Sequence, residues 1–105
     1  MNGNSFSIIG LFRDALDRAY GDRLERVVLY GSRARGDARP DSDYDVAVFL
    51  TDFESFGAEA GKIAEIETYL LYETGAVINA MPFKADYYHD RTGFMGEVRR
   101  EGLEL

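Results

Sequence analysis

Two short apolar runs, 26–30 (RVVLY) and 45–50 (DVAVFL), bracket 14 residues that are mostly polar and carry two glycines and a proline. β-Branched and aromatic residues favour strands, and runs this short suit buried ones. A connection of that length suits a long functional turn better than a hairpin. The chain is therefore expected to place a polar loop, with a helical turn inside it, at one end of a pair of neighbouring strands.

The flanking sequence supplies helices and a third strand. Ile8, Phe12, Ala15, Leu16 and Ala19 recur at helical spacing, which predicts a helix over 5–20. Ser5 or Asn4 can cap its start, and Gly21 can end it. Thr51 and Glu54 have capping-box spacing before a second helix, although Gly57 and Gly61 weaken its first turns. Ala60, Ile63, Ile66 and Leu70 form its stripe, with Gly75 as the stop. The run 76–81 (AVINAM) reads as a third strand ended by Pro82. Residues 84–92 read as a connection, and Phe94 and Val98 predict a short last helix before Gly102. The order α, β, β, α, β, α predicts an α/β (α+β) fold: a small mixed sheet with flanking helices, expected on one face. The 105 residues suit a single domain, 1–105.

Composition narrows the function classes. The net charge of −7 argues against direct DNA or RNA binding and against attraction to an anionic membrane. There is no cysteine, so disulfides and thiolate metal sites are excluded. No apolar run approaches the roughly 18 residues of a spanning helix, and the start lacks a signal-peptide pattern. A soluble, cytoplasmic protein is the expectation. Arginine supplies ten of the 12 cations, and Arg33, Arg35 and Arg39 lie together in the loop, against the global sign.

That loop carries the chemistry. A strand ends in Gly31-Ser32, where glycine lets the backbone approach a ligand and N–H groups with a hydroxyl can hold phosphate oxygens. Asp43 and Asp45 are two residues apart at the next strand's start, so their side chains share a face. Adjacent carboxylates repel unless a cation lies between them. Magnesium with a nucleoside triphosphate fits, because magnesium prefers oxygen ligands drawn from one or two carboxylates and phosphates. Guanidinium groups in the loop can neutralise phosphate charge.

Gly31-Ser32, ten residues, then Asp43-Tyr44-Asp45 resembles the signature of the DNA polymerase β-like nucleotidyltransferase superfamily. The stretch GSRARGDARPDSDYD is similar to its small prokaryotic branch, the minimal nucleotidyltransferase (MNT) proteins. The run 97–102 is a softer match to a tail of some MNT-type chains. The resemblance implies the polymerase β-like fold, with Asp43 and Asp45 as catalytic metal ligands for Mg2+. Gly31, Ser32 and Arg35 would bind the nucleotide, and ATP would be the substrate. It implies transfer of AMP to a hydroxyl of a partner, a HEPN-domain protein in a toxin–antitoxin pair.

The superfamily usually adds a third carboxylate on a later strand. Here 76–81 holds no Asp or Glu, and Asn79 is its polar residue; an amide can ligate metal but is no base at neutral pH. Asp86, Glu73 or a partner's residue are the substitutes to examine. A catalytically weak MNT-fold module that neutralises a HEPN ribonuclease by complex formation is the alternative. An antibiotic nucleotidyltransferase ranks below both, for want of a helical domain to hold the drug. Elsewhere the simple readings hold: Arg33 and Arg39 solvate the loop or pair with Asp37 and Asp41, and His89 lies at the surface. Tyr87 and Tyr88 serve packing or an interface, and Arg99 and Arg100 complement a helix dipole.

Overall fold

The computed structural model describes residues 7–105. The expected caps Asn4 and Ser5 lie outside them. Helix α1 spans Ile8–Tyr20, and Ser7 caps it by accepting from the Gly10 N–H at 2.9 Å. Its buried stripe is Phe12, Leu16 and Tyr20, one residue every fourth, so Ala19 is exposed rather than inward. Gly21, at φ 56°, closes the helix as expected.

Strand β1 is Leu24–Tyr30 and strand β2 is Tyr44–Leu50, paired antiparallel. Between them a single turn of helix, α2, covers Ser32–Arg35. Helix α3 runs Phe56–Thr74 and is capped by Ser55, not by the Thr51–Glu54 pair. Gly75 ends it in the left-handed region at φ 79°. Strand β3, Ile78–Lys84, lies parallel to β2 and runs through Pro82 instead of stopping there. The order β3-β2-β1-β4 explains this, because β3 is an edge strand. N–H groups two apart on a strand point the same way. The Ala80 N–H points off the sheet to Glu67 Oε2 at 2.8 Å, so the N–H that Pro82 lacks would also have faced the free edge. A turn of 3-10 helix follows at Ala85–His89, then helix α4 at Gly93–Glu101. The short strand β4, Leu103–Glu104, was not foreseen; it pairs antiparallel with β1.

Helices flank the sheet, but on both faces rather than one. Phe12, Leu16, Ile63 and Leu70 of α1 and α3 pack on Val27, Leu29, Val46 and Val48. The alternate residues Val28, Ala47 and Phe49 face the other way, under Met95 and Val98 of α4. Phe83, Tyr87 and Tyr88 extend that second layer, with Phe49 and Tyr88 edge to face at 5.4 Å. Burial therefore runs unbroken through Val27–Leu29 and Val46–Leu50, because side chains that alternate between the two faces find a layer on each.

One ionic contact organises the link from β2 to α3. Glu59 is fully buried, and its carboxylate accepts from Arg23 and from the Glu54 N–H at 3.1 Å. Arg23 also donates to the carbonyl of Asp52 at 3.0 Å, across a turn in which Asp52 holds φ 49°. Burial raises the Glu59 pKa, but the Glu54 N–H and Arg23 outweigh it and hold the group below its ordinary value. A carboxyl whose folded pKa is lowered adds stability above its unfolded pKa and loses it as pH falls through the folded one. Arg23→Ala should cost about 3 kcal/mol in urea denaturation at pH 7, because it strands a buried charge. The stability gap between wild type and Glu59→Gln should narrow as pH falls from the ordinary glutamate range. An unchanged gap would mean that Glu59 is not ionised in the folded protein.

Candidate nucleotide and metal site

The loop ends meet at one end of the sheet. In the strand register Tyr30 stands opposite Asp45, and Asp45 stands opposite Asn79, so three residues of three strands form one row. Val46 packs under α1 and α3, so Asp45 belongs to the other face, with Ala47 and Phe49. Asn79 reaches Asp43 on that face, its Nδ2 donating to Asp43 Oδ2 at 2.8 Å. The two aspartates are therefore neighbours across the start of β2, as their spacing predicts.

Gly31 is the hinge of the convergence. Its φ of 76° and ψ of −158° belong to a region that is essentially glycine-only. A Cβ built there would meet Asp45 Oδ2 at 2.5 Å. The turn backbone therefore lies against the carboxylate. The helical bonds of α2 begin with the Ala34 and Arg35 N–H groups donating to the Gly31 carbonyl, at 3.1 and 3.0 Å. The N–H groups of Ser32 and Arg33 precede that pattern and are the free donors of a helix start.

The pair is electrostatically loaded. Asp45 has a raised pKa, first from partial burial and then from the Asp43 charge, while the Asn79 amide and Arg35 pull it down. Tyr30 is raised too, by burial and by Asp45 and Glu97. Two oxygen-donor carboxylates on one face, beside a turn with unused N–H groups, suit magnesium that takes its remaining ligands from phosphates and water. Among the described residues no group of three or more His, Asp or Glu side chains is placed to hold a metal ion.

The other singled-out residues separate cleanly. Arg33 is a brace for the loop: it donates to the Ser42 carbonyl at 2.7 Å and to the Pro40 carbonyl at 3.2 Å, and stacks on Tyr44 at 4.1 Å. It pairs with neither Asp37 nor Asp41. Arg39 enters through its backbone, its N–H donating to Ser42 Oγ at 2.8 Å. Arg35 does pair with Asp37, at 3.3 Å, and also faces Glu101 at 3.6 Å. The role of Glu101 went unread in the sequence; the match over 97–102 was its sole signal.

Asp86 cannot stand in for a third carboxylate. It follows β3 at its far end, roughly 20 Å from Asn79 at strand rise. Glu73 sits on α3, which packs on the opposite face. His89 is exposed, and Tyr87 and Tyr88 pack in the aromatic layer. Arg99 braces the preceding turn through the carbonyls of Tyr88 and Asp90. A cavity of about 440 Å³ lined by Arg33, Pro40, Tyr44, Gly75 and Val77 lies beside the same loop. Tyr44 faces the α1 and α3 layer, so that hollow is behind the aspartates, not at them.

Residues 9–92 match the family defined as the nucleotidyltransferase domain. The chain belongs to that family. It is 31% identical over 98 residues to the "Putative protein adenylyltransferase MJ0141" of Methanocaldococcus jannaschii, covering 93% of this chain and 95% of that protein. To "Putative protein adenylyltransferase MJ0604" of the same organism it is 30% identical over 105 residues, covering 97% and 98%. Solved structures share the nucleotidyltransferase fold. A toxin–antitoxin chain crystallised with AMP-PNP aligns at TM-score 0.63 and 20% identity, over 89% of this chain and 68% of that one. A variant of the toxin–antitoxin MntA-HpeT with two aspartates changed to glutamate aligns at 0.61 and 21% identity, over 99% and 72%. No helix among the described residues is long and apolar enough to cross a membrane.

The contact between Gly31 and Asp45 sets a measurable asymmetry between two glycines of this nucleotidyltransferase domain. Gly36 also has positive φ, 85°, but nothing lies within 4 Å of a Cβ placed there. Gly36→Ala should cost about 1 kcal/mol. Gly31→Ala should cost about 2–3 kcal/mol and displace Asp45. Urea denaturation of both variants checks this, and equal costs would contradict the packing of the turn on Asp45.

Proposed function

We propose that this chain binds magnesium–ATP between Gly31-Ser32 and the Asp43–Asp45 pair and transfers AMP to a hydroxyl of a partner protein. The convergence of the Gly31 turn on Asp45 carries this reading, because it sets phosphate donors beside paired carboxylates. The adenylyltransferase names of the two relatives support AMP as the group transferred. The toxin–antitoxin nature of the fold neighbours supports a protein acceptor. A tyrosine of a HEPN-domain partner is the acceptor that the MNT resemblance implies.

In the proposed reaction the acceptor oxygen forms a bond to the α-phosphorus as the bond to the β-phosphate oxygen breaks. Pyrophosphate leaves, and the acceptor proton passes to a base or to water. Magnesium, held by Asp43 and Asp45, would neutralise the triphosphate and orient the α-phosphorus. Ser32 and the N–H groups of the turn would hold the terminal phosphates. Asn79 holds Asp43 through its amide hydrogen bond, and so orients one carboxylate instead of adding another.

That same hydrogen bond favours the second reading, a binding module with weak chemistry that neutralises a HEPN ribonuclease by complex formation. Asn79 stands beside Asp45 in the row where a third carboxylate would serve as base. A positioned general base is typically worth ~100- to 10,000-fold, and an amide does not supply it.

Two measurements divide these readings. Calorimetric titration with magnesium and AMP-PNP should show binding that is lost in the Asp43→Ala/Asp45→Ala double variant; unchanged affinity would refute the site. With labelled ATP, magnesium and the partner, wild type should label slowly and Asn79→Asp should raise the rate at least tenfold. Rapid wild-type labelling that Asn79→Asp leaves unchanged would place the base elsewhere. No labelling by either, with a stable inhibitory complex, would favour the binding module.

A further inference from the structure

Glu101 is the last residue of α4, and it lies far in sequence from the loop that its side chain meets. Its Oε1 is 3.6 Å from Arg35 Nη1, while Asp37 Oδ2 takes Arg35 Nε at 3.3 Å. That Glu101 oxygen is buried and makes no hydrogen bond, so the Arg35 charge is what compensates it. Arg35 thus faces two carboxylates, one from its own loop and one from the C-terminal segment. Its charge also reaches Asp45 and offsets a small part of the rise that burial and Asp43 impose on that carboxyl.

The segment that carries Glu101 is held in place. Gly102 is packed so tightly on Val28 and the Val98 carbonyl that a side chain has no room. Leu103 pairs with Leu29, Glu104 pairs with Val28, and the Leu105 N–H donates to the Val27 carbonyl at 2.9 Å. Arg13 and Arg26 add a hydrogen bond to the Leu105 carbonyl and an ion pair to Glu104, both at 2.6 Å. Glu101 is therefore anchored to β1, the strand that leads straight into Gly31-Ser32.

We propose that Glu101 competes with the nucleotide's phosphates for Arg35, so that the C-terminal segment sets the affinity of the Gly-Ser turn for a triphosphate. The proposal rests on the nucleotide-binding reading of that turn. A guanidinium has N–H donors enough for more than one acceptor, but its single positive charge is already matched by Asp37 and Glu101. A polyanionic phosphate gains less from an arginine neutralised in this way. Glu101 is a positioning residue in this scheme: it acts on the ligand through Arg35 and does not touch the reacting atoms.

The test is a double-mutant cycle read by calorimetric titration with magnesium and AMP-PNP. Glu101→Gln removes the competing charge and nearly keeps the shape, and should tighten binding about two- to fivefold, the scale of one partly exposed ion pair. Arg35→Gln should weaken binding. Adding Glu101→Gln to Arg35→Gln should then change nothing, because the charge competed for is gone. A purely structural effect of Glu101 would shift affinity equally in both backgrounds, and that result overturns the proposal. So does unchanged or weaker binding by Glu101→Gln alone. If wild type itself binds no AMP-PNP, the parent reading of the turn fails and this one falls with it. Wild-type binding without the cycle effect removes the Glu101 proposal alone.

Discussion

Two negative charges share the start of one strand, and the surroundings of Asp43 and Asp45 follow from keeping them there. Like charges at this spacing repel, and burial of Asp45 adds to the cost. Three features offset it without neutralising the pair. Asn79 donates an amide N–H to Asp43, Arg35 lends its charge nearby, and Gly31 leaves the space that Asp45 fills. A fully paired site would be more stable and less able to take a cation. Under the proposed function, this incomplete pairing would give up some stability and leave the two carboxylates open to a positively charged ligand.

The rigidity that such a pair needs comes from its scaffold. β2 is a central strand, covered on one face by α1 and α3 and on the other by α4 and the aromatic layer. Arg33 binds the loop carbonyls just before Asp43, so the loop enters β2 in one register. Arg23 and Glu59 do the same where β2 leaves for α3. Both ends of the strand are thus braced by an arginine on backbone carbonyls. Arg35, by contrast, stands between two carboxylates, those of Asp37 and Glu101.

Asn79 is where fold and chemistry part. Its row position is beside Asp45, while its amide supports Asp43 and cannot accept a proton from an attacking alcohol. The same backbone can therefore serve a transferase or a binder, and the difference lies in one side-chain group. The match to the nucleotidyltransferase family covers residues 9–92, with the Gly31 turn, both aspartates and Asn79 among them.

Much of this was legible in the chain. The spacing of Asp43 and Asp45 put them on one face, because strand geometry repeats every two residues. The 14-residue gap announced a loop, and helical spacing placed α1 and α3. Local rules failed where a distant partner decided. Pro82 reads as a strand end, but β3 is an edge strand, and an edge tolerates a missing N–H. Thr51 and Glu54 fit a capping pattern, yet the Arg23–Glu59 contact holds 51–54 as a turn, and Ser55 caps α3. β4 and the meeting of Glu101 with Arg35 bring together residues far apart in the chain, and no periodicity encodes such contacts. The alternation of side chains and the length of the loop depend on neighbours along the chain, and so can be read from the order of residues. Which carboxylate meets which cation depends on strand order and helix packing, because these set the distances between residues remote in the chain.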